Sequence, residues 1–373
     1  MTRRRLAFVL PSLHGGGAER AAVRILNALP RATYDLTLYL FAREGAYLDE
    51  VSPDVHVVAP AAASRRVGRL LALRRFLARE RFHAVVSFLS HFTVYGAVRA
   101  SRSGAKYVIS QQTPLSAFLG DADYHWREPS HRFLFERVAR VIYPRADLVI
   151  AASTGVARDL IGNYRVRQEQ LRVIPNPVNV EDVMRRSVEP LDVQRPHRPT
   201  IVTAGRLAEA KNLPLLVDAL QLLAQRLDFR AWILGQGELE AVLRERLRAA
   251  GLDDRVRLLG FQSNPWKYMA AADVFVLTSH YEGFGNVLIE AMAAGTPVVA
   301  TASVGTRDIV RHGENGLLVE RHEPADVASA IEALLSDPAR RDRLASTARA
   351  ASRDFEVDLV AKQWDNLFER LCA

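Results

Sequence analysis

Cysteine is nearly missing: the 373 residues hold one, Cys372, which excludes an internal disulfide framework and any thiolate cage for a metal. Long apolar runs are missing too, since nothing approaches the roughly 20 consecutive residues a helical membrane span requires. The opening Met1 to Pro11 has a basic head, but its apolar run is too short for a signal peptide. It reads as a first strand, and the chain is expected to stay in the cytosol. No low-complexity tract, recognised nucleic-acid module or aromatic stacking signature occurs, so no nucleic-acid partner is expected. What remains is ordinary for a globular protein, with 49% apolar and 25% charged residues over a length that suits two domains.

Acid is scarce in the first half. Residues 1–178 carry 26 Lys and Arg against 14 Asp and Glu, and the remainder 24 against 28, so a formal +8 splits into +12 and −4. Arg65, Arg66, Arg69, Arg74, Arg75, Arg79 and Arg81 crowd one predicted helix whose other face holds Val67, Leu70, Leu71, Leu73 and Leu77. Such a helix can lie on an anionic bilayer, where each basic residue contributes about 1 kcal/mol. It can equally form the solvated surface of a high-pI protein.

Short apolar runs alternate with helical stretches: Leu6–Leu10, Leu36–Phe41, Val55–Val58, Ala84–Phe88, Tyr107–Ser110, Leu148–Ala151 and Leu171–Ile174. The alternation predicts a parallel, doubly wound α/β sheet. Pro175-Asn176-Pro177-Val178 cannot be helix and makes a poor strand, so it marks a domain joint. A second set of strands follows at Ile201–Ala204, Ala231–Leu234, Val256–Leu258, Val274–Leu277, Val298–Ala300 and Leu317–Val319. The last stretch, Val357 to Leu371, is amphipathic, with Trp364 and Phe368 at helical spacing.

Three loops at strand ends carry candidate chemistry. Gly15-Gly16-Gly17-Ala18-Glu19-Arg20 follows the first strand but lacks the full glycine pattern of a nicotinamide dinucleotide site. Thr203 to Asn212 places Arg206 and Lys211 after a strand, two cations suited to a diphosphate that gains charge as its sugar departs. Ser279 to Ala300 reads as loop, helix and strand, with Asn286 the expected N-cap, Gly295 the expected stop and Glu290 on the expected first turn. Amides at that helix start attract phosphate, and Gly283 and Gly285 allow close backbone approach. Glu282 and Glu290 can then accept bonds from sugar hydroxyls, or else be a solvated loop residue and a dipole complement.

Glu282 and Glu290 stand in an E-x7-E spacing, and EGFGNVLIEAMAAGTPVVAT resembles the motif of the retaining glycosyltransferases of family 4. The resemblance implies the GT-B fold, two Rossmann-like domains facing one another across a cleft. Residues 1–178 would form the acceptor side, with a C-terminal helix of about 357–373 packed back on it, and residues 179–356 the nucleotide-sugar side. Gly16 and Gly17 would approach the donor phosphates, Arg206 and Lys211 clamp the diphosphate, and Gly260 and Phe261 offer backbone groups to the base. Glu282, with Gly283, Phe284, Gly285, Asn286 and Val287, would hold sugar and diphosphate, and Glu290 the ribose. Where the family often has a histidine in the first domain, this chain has Gln112. Either Gln112 supplies the bond, or His91 or His14 reaches in, or activity is weakened.

Asp121-Ala122-Asp123 suggests a metal-binding D-x-D only superficially, because no strand precedes it. No metal and no cofactor is expected, the nucleotide-sugar being a substrate. The implied activity is retaining transfer of a hexose or N-acetylhexosamine from a UDP-sugar, or secondarily a GDP-sugar, to a lipid-linked or cell-surface polysaccharide or lipopolysaccharide acceptor. The site would be cytoplasmic, at most peripheral on an anionic membrane face. A UDP-sugar epimerase and a non-catalytic sugar-nucleotide-binding subunit are the alternatives.

Overall fold

The computed structural model describes residues 3–60, 66–120, 129–194 and 197–372. The chain divides into two compact units, Met1–Val178 with Val357–Ala373, and Asn179–Glu356.

The first unit holds β1 (Arg4–Leu10), β2 (Tyr34–Leu40), β3 (His56–Val58), β4 (Ala84–Phe88), β5 (Lys106–Gln111), β6 (Leu148–Ala151) and β7 (Leu171–Val173). They form one sheet in the order β3-β2-β1-β4-β5-β6-β7, with neighbouring strands parallel. Helices α1 (Gly17–Ala28), α2 (Arg66–Glu80), α3 (His91–Ser101), α4 (Leu115–Gly120), α5 (Pro129–Ile142) and α6 (Thr154–Tyr164) connect them. The strands are near-continuous apolar runs because each face is covered. Leu73, Leu77, Val94, Ala139 and Leu160 pack on one face, while Ala22 and Leu26 of α1 pack on the other.

The arginine-rich helix differs from its expectation. Arg81 lies beyond its end with φ 47°, and Arg65 lies outside the described residues. Leu73 and Leu77 are consumed by the core, whereas Val67 and Leu71 are exposed on the opposite side. The expected single apolar face is therefore split. A sheet face left open to water costs more than two outward aliphatics do, since burying each leucine contributes about 2 kcal/mol.

The second unit holds β8 (Thr200–Ala204), β9 (Arg230–Leu234), β10 (Val256–Gly260), β11 (Val274–Leu277), β12 (Val298–Thr301) and β13 (Leu317–Val319), ordered β10-β9-β8-β11-β12-β13. Its helices are α7 (Val180–Ser187), α8 (Leu213–Leu223), α9 (Glu240–Ala249), α10 (Trp266–Ala271), α11 (Asn286–Ala293), α12 (Thr306–Ile309), α13 (Pro324–Leu335) and α14 (Pro338–Ser352). Asn179 caps α7, accepting the Asp182 N–H at 2.8 Å immediately after the proline joint. Winding reverses between β8 and β11, and ligands of such sheets gather at the carboxyl ends flanking that reversal.

The final helix, α15 (Val357–Leu371), belongs to the first unit. Trp364 lies against Phe8 and Phe88, with ring centroids 6.1 and 6.2 Å away, and Phe368 meets Tyr34 at 6.1 Å. The Tyr34 hydroxyl donates to Asp365 Oδ1 at 2.7 Å, which fixes the helix along its axis. No helix among the described residues is long and apolar enough to cross a membrane.

Candidate active site

The loop after β11 is shaped by glycine. Gly285, at φ 106°, occupies the N-cap position of α11, and Asn286 is the first helical residue. This corrects the expected cap: the chain must enter the helix through a left-handed turn that disfavours any Cβ, and a glycine takes the position asparagine would otherwise hold. The count shifts with it. Glu290 falls on the second turn, buried, and no acid stands in the first turn. At the other end Gly295 and Thr296 donate to Met292 O and Ala291 O, both at 3.0 Å, the paired bonds of a glycine stop.

Glu282 is not a solvated loop residue. Its Oε1 accepts from Lys211 Nζ at 2.5 Å and from Ser279 Oγ at 2.7 Å, with side chains 12% exposed for the glutamate and 24% for the lysine. A partly buried charge-assisted bond of this kind ties the loop after β8 to the loop after β11. Backbone bonds reinforce the tie, with His280 N–H donating to Ala210 O at 2.9 Å and Gly305 N–H to Glu282 O at 3.0 Å. Thr278 Oγ1 donates to Asn212 O at 3.1 Å, and Thr301 Oγ1 to Ser279 O at 2.8 Å. Both loops leave the carboxyl ends of the strands that flank the reversal, and Thr203, Gly205, Arg206, Lys211 and Leu277 line one crevice there.

Arg206 is exposed on a loop whose backbone is pinned from beneath. Gly205 N–H donates to Leu234 O at 3.0 Å and Leu207 N–H to Gln236 O at 2.9 Å. A Cβ on Gly235 would lie 1.8 Å from Gly205 O, so the loop after β9 can approach only as glycine. Gly235 N–H in turn donates to Gly260 O at 2.7 Å. Phe261 is 65% exposed and so is not core, whereas the Phe284 ring is buried against Phe355 at 5.5 Å and leaves only its backbone for a ligand. Ser279 and the Gly235-Gln236-Gly237 turn are site features the sequence reading passed over. A serine three residues before Glu282, and a glycine pair closing a strand, were the available signals.

In the first unit Gly16 caps α1 and Gly17 begins it. Gln112 Nε2 donates to Ser110 Oγ at 2.9 Å, while its Oε1 is buried and partnerless among the described residues. Gln111 steadies this loop, donating to Thr113 O at 2.6 Å and accepting the Tyr143 hydroxyl at 2.5 Å. His91 does not reach toward a ligand: it is buried at the first position of α3, its Nδ1 2.7 Å from Ser87 Oγ, and its carbonyl accepts from the Tyr107 hydroxyl at 2.7 Å. Burial lowers its pKa to about 4, against an opposing hydrogen bond with Gln111. His14 sits on an exposed loop with Nε2 3.0 Å from Glu44 Oε1. Asp121 and Asp123 lie outside the described residues. Among the described residues no group of three or more His, Cys, Asp or Glu could hold a metal ion.

Two doubly wound parallel sheets place the chain among proteins of the GT-B architecture. Residues 15–182 match the model of Glycosyltransferase Family 4 and residues 192–351 that of Glycosyl transferases group 1, and the chain belongs to this glycosyltransferase family. Over 223 residues it is 31% identical to the N-acetylgalactosamine-N,N'-diacetylbacillosaminyl-diphospho-undecaprenol 4-alpha-N-acetylgalactosaminyltransferase of Campylobacter jejuni, covering 60% of each chain. With the lipopolysaccharide core biosynthesis glycosyltransferase LpsD of Rhizobium meliloti it shares 27% identity over 362 residues and 95% of each chain. The matches span only 60% and 58% of the length of the first curated relatives. HepE of Anabaena, solved with UDP-glucose, superposes with a TM-score of 0.81 at 25% identity over 98% of this chain and 99% of its own.

Proposed function

We propose that the chain is a retaining glycosyltransferase that moves a hexose or N-acetylhexosamine from a nucleotide-sugar, UDP-linked before GDP-linked, to a lipid-linked or polysaccharide acceptor. The observation that carries the reading is Glu282, held by Lys211 and Ser279 beside the start of α11 at the winding reversal of the second sheet. Glu282 and the amides from Gly283 to Val287 would receive sugar and diphosphate, Glu290 the ribose, and Gly260 with Phe261 the base. As the anomeric bond lengthens, Arg206, Lys211 and the helix start stabilise the charge left on the diphosphate. The acceptor hydroxyl attacks from the same face, and its proton passes to the departing phosphate oxygen. On this reading Gly16, Gly17 and Gln112 of the first domain are further donor contacts.

The undecaprenyl diphosphate in the name of the Campylobacter relative supports a lipid-linked acceptor, and the UDP-glucose complex of HepE supports a UDP donor. With cations and amides already in place, the charge needs no divalent ion, and a chelator should leave the rate unchanged. The test incubates the protein with a panel of UDP- and GDP-sugars and polyprenyl-diphosphate-linked acceptors, reading products by mass spectrometry and the new anomeric centre by NMR. Transfer with retained configuration is expected, and Glu282→Gln should lower kcat by about 100-fold or more. An epimer formed without acceptor would replace this reading with the epimerase, and donor binding with neither transfer nor hydrolysis would replace it with a binding subunit.

A further inference from the structure

The second unit has a groove at the end of α11 that points away from Glu282. The helix starts just after the Glu282 loop and stops before Gly295, and its eight residues put about 12 Å between the two ends. α14 packs against the far end. Its residues Ala345, Ser346, Arg349, Ala350 and Arg353 close with Gly295 around a space of about 330 Å³. These positions recur at helical spacing, so one side of α14 lines the groove while Leu344, Ala348 and Ser352 are buried in the fold. Gly295 keeps the groove open. A Cβ there would stand 3.9 Å from Arg349 Nη1, so this guanidinium faces the bare end of α11.

Both arginines of the groove have charge to spare. Neither side chain has a hydrogen-bond or ion-pair partner among the described residues. Other arginines of the unit meet carboxylates: Arg226 meets Glu332, Arg246 meets Asp218, Arg307 meets Glu320, and on α14 itself Arg341 lies 3.3 Å from Asp273. The simplest role for Arg349 is to cap α11, where a cation complements the negative end of the dipole. The hydrogen bonds of such a cap are already made. Glu290 O accepts from Ala294 N–H, Met292 O from Gly295 N–H and Ala291 O from Thr296 N–H, each at 3.0 Å, and Arg349 donates to none of them. Asp354 follows Arg353 without pairing to it, and Glu356 accepts the Val180 N–H at 3.1 Å.

Ser346, Arg349 and Arg353 stand on successive turns of one helix side. Guanidinium forks match phosphate oxygens bidentately, a hydroxyl can donate a further bond, and Ala345 and Ala350 offer apolar surface to the body of a ligand. The enclosed volume suits a small molecule. We infer that this groove binds a small phosphorylated molecule through Arg349 and Arg353, at a site separate from the crevice of Arg206 and Lys211. The inference does not depend on the transferase reading, because no sugar is transferred in its test.

The test titrates the full chain with glucose 6-phosphate and with inorganic phosphate, followed by phosphorus NMR, in an Arg206→Ala/Lys211→Ala background that removes the cations of the other crevice. Saturable binding of one molecule per chain is expected, tighter for glucose 6-phosphate, whose body meets the two alanines. Adding Arg349→Ala/Arg353→Ala should weaken it at least about tenfold, the effect of losing a hydrogen bond to a charged group. Ala350→Glu, which keeps both arginines and supplies the carboxylate they lack, should weaken it as much. Both variants should melt with the background, since residues 349, 350 and 353 are exposed. Arg248→Ala, on α9, should bind as the background does. The inference is overturned if the background shows no saturable binding, if either groove variant binds undiminished, or if Arg248→Ala loses as much. Equal affinity for the two probes overturns the choice of a phosphorylated molecule over free phosphate.

Discussion

Ser279 carries no charge, yet it helps decide where the charge of Glu282 stands. Its hydroxyl and the Lys211 ammonium both reach Oε1, so if the proposed donor diphosphate drew Lys211 away, the carboxylate would keep one anchor. Ser279→Ala should lower kcat/KM for the donor about tenfold, the worth of one hydrogen bond to a charged group, with little change in melting temperature. His91 is a residue of the opposite sort, neutral and sealed. Its pKa falls from 6.5 to about 4 on folding, so the unfolded chain binds a proton that the folded one refuses. Its contribution is fully favourable above pH 6.5 and is lost as pH falls toward 4, at most about 3 kcal/mol. Urea titrations over that window should show His91→Asn, which keeps a partner for Ser87, losing less stability with acid than the parent.

At the scale of elements, α15 shows how one helix closes a face. Trp364→Ala would open a cavity between Phe8, Phe88 and Phe368 and should destabilise the first unit by about 3–5 kcal/mol in chemical denaturation. Its packing site was implied by family resemblance, while the helix itself was legible from Trp364 and Phe368 alone. The central strands were legible for a plain reason: buried on both faces, they are near-continuous apolar runs, whereas the partly exposed β3, β7 and β10 are less so, and strand ends moved by a residue or two. Caps were harder. Asn286 and Gly285 are both acceptable before a helix, and only the left-handed backbone distinguishes them. The sides of α2 were illegible because a helix with apolar residues on two sides does not say which one the sheet takes. Neither Ser279 nor Gly235 bears a charge to draw notice; Ser279 matters through a nearby carboxylate that folding brings to Lys211, and Gly235 through the close approach of the Gly205 loop.

Taken whole, the molecule has two compact units with two electrostatic characters, a strongly basic first and a mildly acidic second. If the second unit holds the nucleotide, UDP at 100 times its Kd should stabilise it by about 2.7 kcal/mol. Hydrogen exchange with and without UDP should then show slowed amides along β8, β11 and α11, and unchanged ones in β1 and β4. Synthesis imposes a further condition. The surface that Trp364 and Phe368 cover is complete once Phe88 has emerged, but its lid is separated from it by the entire second unit. At 5–20 residues per second a ribosome takes roughly 10–60 s to deliver that lid. Throughout that interval the nascent chain displays Phe8 and Phe88 uncovered, which makes this segment the natural client of a holding chaperone.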